Sequence, residues 1–369
     1  MTNRERFRAV MAFEQTDRPC HIEQGFWPET FERWRAEGLP SDIKEPVFSY
    51  LGDRPDMFDH FEVIRFGYML PRQYYVPAFE EEIIEETDTY RIVRDSLGCT
   101  AKHSKVGASM PQFLDYPVKT RRDYEALKER LQPSLSERYP HDWDDVARAM
   151  RDQEDVIVAT HMDGFFGHPR ELFGLENLLM TMYDDPDLVH DILNDRCDFY
   201  MQVYERAIRD TKPDFAFIWE DMCFKNGPLI SPALFREFML PVYRRLTDYL
   251  KSMGVKNIVV DSDGDVSQLL PLWLEGGVTG VLPFEVKADM DVVRIGEEFP
   301  TLQIIGGIDK HALERTPEDI DQELERVLPP MLKRGGYVVS LDHWVQPQIP
   351  MRNFEYYVDK VKKFPLRCV

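Results

Sequence analysis

The stretch NIVVDSDG (257–264), followed by VTGVLPFE (278–285), QIIGGID (303–309) and YVVSLDH (337–343), decides the fold. Each run is nearly continuous in apolar residues and finishes on acids or a histidine. A strand written this way is buried on both faces, which requires a parallel sheet covered by helices. Working back toward the N-terminus, VIVATHMD (156–163) and FAFIWED (215–221) repeat the pattern, and PCHIEQG (19–25) and FEVIRFG (61–67) are weaker versions of it. Eight strands result. Between them, SPALFREFMLPVYRRLTDYLKSMG carries Ser231 as N-cap, Pro232 in the first turn and Gly254 past the end. TPEDIDQELERVLPPMLKRGG repeats the design, with Thr316 before Pro317 and with Lys333 and Arg334 in the last turn. No Gly-rich phosphate turn follows the first strand, so a (β/α)8 TIM barrel is expected in preference to an open doubly wound sheet.

A different texture interrupts the barrel. YYVPAFEEEIIEETDTYRIVRDSLGCTAKHSK (74–105) alternates β-branched and charged residues around a turn at 95–98, which predicts an inserted antiparallel β meander. RRDYEALKERL and DWDDVARAMRDQ then read as polar helices. The whole chain, 1–369, is expected to form a single barrel domain with this insertion.

Composition removes several classes of function. With 66 acids against 45 bases and a net charge of -21, the chain lacks the basic footprint that nucleic-acid phosphates require. No window approaches the ~18 to 20 apolar residues of a membrane span, and the start MTNRERFRAV is charged. A cytoplasmic location and a small-molecule substrate are expected. Five cysteines without a CxxC pair argue against a disulfide framework or a Cys-rich zinc site. Cys20, Cys99, Cys197 and Cys223 are expected to be buried, and Cys368 to be exposed.

The functional signal lies in how the strands end. In chain order they finish at His161 and Asp163, Glu220 and Asp221, Asp261 and Asp263, Glu285, Asp309, and Asp342 with His343. A parallel barrel brings all these ends to one rim, where crowded carboxylates raise one another's pKa unless a cation or proton compensates. Asp309, directly before Lys310, reads as a cap or ion pair. Such a rim suits either a divalent metal with an open position or metal-free proton transfer. Phe165, Phe166, His168, Trp219, Phe284 and Trp344 follow the same strand ends and are expected to line a pocket for an organic ligand.

The segments NRERFRAVMAFEQTDRP, EDMCFKNGPLISPALFREFMLPVYRRL, GGID and SLDHWVQPQIPMRNFEYYVDKV resemble the uroporphyrinogen decarboxylase superfamily, on its methyltransferase-like branch. The resemblance implies a (β/α)8 barrel, a homodimer in many relatives, and an active site at the strand C-termini. The decarboxylases' Arg-Gln-Ala-Gly-Arg motif is replaced by HIEQGFWPETFERWRAEGLP, where Arg33 and Arg35 are displaced and Glu23 takes the strand end. Asp221 and His343 still match the family's Asp and C-terminal His. Thiol methyltransferases of the superfamily carry His-x-Cys-Gly and a later Cys as zinc ligands; here Asp261-Ser262-Asp263-Gly264 and Asp342-His343 stand in their places. Oxygen-rich coordination of this kind suits a metal that polarises an ether or hydroxyl oxygen.

The resemblance thus implies a metal-dependent methyltransferase moving a methyl group from a methyl ether type of donor to a corrinoid protein. Zinc or another divalent ion is expected on Asp261, Asp263 and His343 with Glu220 or Glu285, and His161 or Asp221 would protonate the leaving oxygen. Two alternatives stand: a metal-free decarboxylase or lyase with Asp221 and His343 as acid and base, and a ligand-binding barrel without chemistry.

Overall fold

Every apolar run from residue 156 onward becomes a strand in the computed structural model of the chain, which describes residues 1–45, 55–69, 71–106, 111–134 and 136–366. In chain order, β1 (Phe66–Met69) comes first. A four-stranded antiparallel meander follows, β2 (Glu82–Glu86), β3 (Tyr90–Arg94), β4 (Thr100–Ser104) and β5 (Gln112–Asp115). Next are β6 (Ile157–Asp163), β7 (Phe215–Trp219) and a small ribbon of β8 (Cys223–Phe224) with β9 (Gly227–Pro228). The chain then supplies β10 (Ile258–Asp261), β11 (Gly280–Leu282), β12 (Gln303–Ile305) and β13 (Tyr337–Val338). Seven of these form one parallel sheet ordered β1-β6-β7-β10-β11-β12-β13, an arrangement compatible with a TIM barrel.

The period of two along each strand separates an inside from an outside. Phe66, Ile157, Ala159, Phe215, Phe217, Val259, Leu282, Ile305 and Val338 pack together inside the curl. Their neighbours Val158, Ala216, Ile218, Val260, Val281 and Ile304 join the larger core shared with the helices. The N-terminal helix Asn3–Met11 stops the inner core at one end: Phe7, Val10 and Met11 enter it, and the Phe7 ring lies 5.3 Å from that of Phe215. With that end closed, the interior opens toward the strand C-termini.

The N-terminal expectations are corrected in detail. PCHIEQG forms no extended strand; His21 bridges Val339 and Ile22 bridges Ile64, both in parallel, so two residues connect the two edges of the sheet. FEVIRFG pairs later than expected, with β1 running from Phe66 to Met69. The meander runs from Glu82 to Asp115, starting and ending later than its expected limits of 74 and 105, with β5 as its last strand. Helix signals read as expected: Ser231 caps Leu234 N–H at 3.2 Å, and Thr316 forms a capping box with Asp319. Asp309 is a cap, accepting the His311 N–H at 2.9 Å. The four cysteines among the described residues are free and buried, and Cys368 lies outside those residues. No described helix is long and apolar enough to cross a membrane.

Candidate functional site

At the open end of the curl lies a cavity of about 770 Å³. Its floor is aromatic. Tyr68 of β1 sets its ring 4.9 Å from His161 and 5.3 Å from Phe217, and His161 stacks on Phe217 at an interplanar angle of 24°. At the rim stand Trp27, Trp219 and Trp344. Five carboxylates, Asp163, Glu171, Asp221, Asp261 and Asp263, line the same space with His343.

Two clusters of metal-competent side chains occur among the described residues. In the first, Asp263, Glu285 and His343 present ligand atoms within 4.8 Å of one another. His343 Nε2 is 3.4 Å from Asp263 Oδ2, while its buried Nδ1 has no hydrogen-bond partner. Glu285 accepts the Gly264 N–H at 3.0 Å through Oε2, which orients the carboxylate. Behind it, Lys310 Nζ lies 3.0 Å from Asp342 and 3.9 Å from Glu285. Burial works to lower the His343 pKa, but the bond and charge of Asp263, with Glu285, hold it above its usual value. Glu285 itself is raised, first by burial and then by Asp263. Two carboxylates and one imidazole converging around a small gap fit a divalent cation with positions left for substrate oxygen.

The second cluster joins Asp163, His168 and Glu171, also within 4.8 Å. Here the protein supplies its own cation. Arg196, with its side chain 2% exposed, pairs with Asp163 at 3.1 Å and also donates to the Gln73 carbonyl at 2.9 Å. Tyr74 donates its hydroxyl to Asp163 at 3.1 Å. Burial, followed by the Asp163 charge, pushes the Glu171 carboxyl up to about 8, so it faces the cavity protonated at neutral pH. Burial lowers the His161 pKa, and its Nδ1 sits 3.2 Å from the Gln73 amide.

The expected site residues are distributed as follows. Asp263, Glu285 and His343 come together. Asp261 lines the cavity but stands outside that trio; burial first, then Asp263 and Asp221, raise its pKa well above the usual range. Asp221 is at the cavity wall, paired with Arg170 at 3.1 Å. Trp219 and Trp344 line the cavity. Glu220 requires correction as a ligand: it is fully buried and accepts the N–H groups of Phe165, Phe166 and Gly167 at 2.8, 2.7 and 3.1 Å, with the Tyr243 hydroxyl as a further donor. Its carboxylate lies so near the backbone that a Cβ on Gly164 would meet it at 2.0 Å. Phe165, Phe166 and Phe284, each at most 1% exposed, are core side chains rather than pocket walls. His168 is buried in the second cluster, away from the cavity surface. Glu23 is also structural, accepting from Leu341 N–H at 3.1 Å and Ser340 Oγ at 3.2 Å.

Sequence reading missed Glu171, Tyr68, Tyr74 and Trp27. Glu171 was recoverable from spacing: a helix opening at Gly167 carries it one turn above the end of β6. Tyr68 was recoverable as the inward residue two after Phe66.

Comparisons with known proteins bear on the family and the fold. The family model for uroporphyrinogen decarboxylase (URO-D) matches residues 88–364. The chain is 26% identical over 266 residues to the uroporphyrinogen decarboxylase of Syntrophotalea carbinolica, covering 68% of this chain and 71% of that one. It is 25% identical over 189 residues to the Pseudoalteromonas atlantica uroporphyrinogen decarboxylase, covering 49% and 50%. It is 23% identical over 193 residues to a methylated-thiol–coenzyme M methyltransferase of Methanosarcina mazei, covering 52% and 49%. The chain thus spans about half the length of the last two relatives. A solved methyltransferase from Methanosarcina mazei superposes at a TM-score of 0.62 over 99% of both chains, with 17% identity, which shows a shared fold.

Proposed function

The chain belongs to the uroporphyrinogen decarboxylase family, and from that premise we propose that it is a metal-dependent methyltransferase. Its donor is a small molecule carrying a methyl group on oxygen, and its acceptor is a corrinoid protein. The observation that carries this reading is the Asp263, Glu285 and His343 cluster beside an aromatic cavity. Kinship with a named methyltransferase supports the reaction class. A divalent ion such as zinc on these three residues would polarise the donor oxygen and ease its departure.

The chain's own residues do the rest. The aromatic floor and rim hold the organic body and exclude water, so charges inside the cavity act in a low dielectric. Glu171, protonated at neutral pH, donates its proton to the departing oxygen. With a reduced corrinoid as methyl acceptor the balance would close: the C–O bond would break, the methyl group would pass to the acceptor, and the oxygen, protonated by Glu171, would leave as a hydroxyl. Glu171 replaces His161 and Asp221 in this role, because burial keeps His161 neutral and Arg170 occupies Asp221. Decarboxylation of a polycarboxylate is disfavoured: five carboxylates and no Lys or Arg line the cavity among the described residues.

The test combines metal content with turnover. Purified protein is expected to hold close to one zinc or similar ion per chain by mass spectrometry, and Asp263→Asn to lose it. Mixed with reduced cobalamin and a panel of methyl ethers, it is expected to form methylcobalamin, read from the visible spectrum. Absence of both metal and methyl transfer, with carbon dioxide released from a carboxylated substrate, would establish the lyase alternative instead.

A further inference from the structure

We propose that the organic molecule bound in the cavity carries a positive charge, in the chemical class of methylated ammonium compounds. The inference rests on the transferase reading and deepens it, since it names the charge of the donor's body.

The cavity, at about 770 Å³, falls in the range of small-molecule sites. Two features of its wall occur together. Indoles of Trp27, Trp219 and Trp344 form the rim, with Phe66, Tyr68 and Phe217 beneath. Carboxylates stand among these rings, while no Lys or Arg lines the cavity among the described residues. Arg196 and Arg170 stand behind Asp163 and Asp221 at 3.1 Å each. A neutral apolar ligand would use the rings alone, and a metal ion the acids alone. An organic cation uses both, since aromatic faces carry the negative lobe of the ring quadrupole and the acids set a negative potential around them.

The protein already makes this pairing once at the edge of the cavity. The Arg170 guanidinium lies 5.2 Å from the Trp219 ring centroid and 3.1 Å from Asp221. A metal on Asp263, Glu285 and His343 would answer the charge on the β10, β11 and β13 side. Asp163 ends β6, Glu171 lies on the helix after β6, and Asp221 follows β7, with its backbone N–H donating to the Asp261 carbonyl at 3.2 Å. Burial, and then Asp163, push Glu171 up to about 8 against the pull of Arg196 and Arg170.

Choline and its neutral isostere 3,3-dimethylbutan-1-ol test the idea, because they share shape and differ in charge. Binding is measured by calorimetry and by quenching of tryptophan fluorescence, on the full chain with chelator and again with added zinc. Choline is expected to bind at least tenfold more tightly than the isostere in both states. Trp344→Leu is expected to weaken choline more than the isostere, and Asp221→Asn to do the same; the two variants keep the test open if one fails to fold. Equal affinities, a preference for the isostere, or no binding of either ligand at 10 mM would overturn the proposal. The two readings fail separately. Methyl transfer from a neutral ether without any preference for choline sinks only the cation. Preference for choline without methyl transfer from any donor sinks only the transferase.

Discussion

The cavity has two ends built from the same side-chain types, and they differ in how negative charge is compensated. Asp163, His168 and Glu171 lie against Arg196, a guanidinium fixed 3.1 Å from Asp163 with both side chains at most 2% exposed. That end is neutralised from within, and the remaining carboxyl, Glu171, keeps its proton. Among the described residues, Asp263, Glu285 and His343 have only the Lys310 cation nearby, at 3.9 Å from Glu285 and nearer to Asp342. Their side chains are also partly open to solvent. Lys310 is buried but sits closer to Asp342, at 3.0 Å, than to Glu285. The partly open trio is what a site for an exchangeable cation requires, whereas the end held by Arg196 suits proton donation.

The comparison breaks most sharply under paired substitutions. Asp263→Asn and His343→Gln should each lower zinc affinity by well over 100-fold, since even second-shell changes cost about 10–100-fold. Metal titration with a competing chelator reads this directly. Asp163→Asn should leave zinc affinity within about threefold but strand Arg196, at a cost of roughly 3–5 kcal/mol in denaturant unfolding. Asp263→Asn should change stability by about 1 kcal/mol or less, the scale of a partly exposed pair. A reversal, with zinc lost in Asp163→Asn and retained in Asp263→Asn, would exchange the roles of the two ends.

A smaller effect follows from pH. His343 and Glu285 both have raised pKa values, so protons compete with metal for them. Zinc affinity should therefore begin to fall above the usual imidazole range and continue falling as pH drops, by up to roughly tenfold per unit for each proton displaced. His343→Gln should flatten the slope by about one proton. A pH-independent affinity would place the ion elsewhere.

The fold was legible where burial on both faces leaves an uninterrupted apolar run, as in β6, β7 and β10. At 19–25 the strand was read too long, because a connection of two residues, His21 and Ile22, has no period to mark its ends. β5 was missed because all four of its residues are exposed, which removes the alternation a sheet face imposes. Within the site, parity along the strand is the lesson. Phe215 and Phe217 face inward, so Trp219 and Asp221 follow them into the cavity while Glu220 points the other way, into the helix layer. Reading the strand end as an undivided cluster of acids hid that alternation. Glu171 escaped for another reason: it sits on a helix, where the step is four residues rather than two.

Glu171 gives the smallest and most selective test of the end held by Arg196. Its carboxyl is raised to about 8, so it is mostly protonated at pH 7 and half protonated near pH 8. Proton donation requires the protonated form, so activity should fall as pH rises through that value. Between pH 7 and pH 8 the rate should drop by only about half, then by roughly tenfold per unit above it. Glu171→Gln should lower the rate at pH 7 and remove this alkaline limb while leaving zinc content unchanged. Donors whose departing oxygen is already acidic, such as a nitrophenyl methyl ether, need less proton transfer and should recover much of the lost rate in that variant. If the limb persists in Glu171→Gln, the proton comes from another group, and the division of labour between the two ends fails at this point.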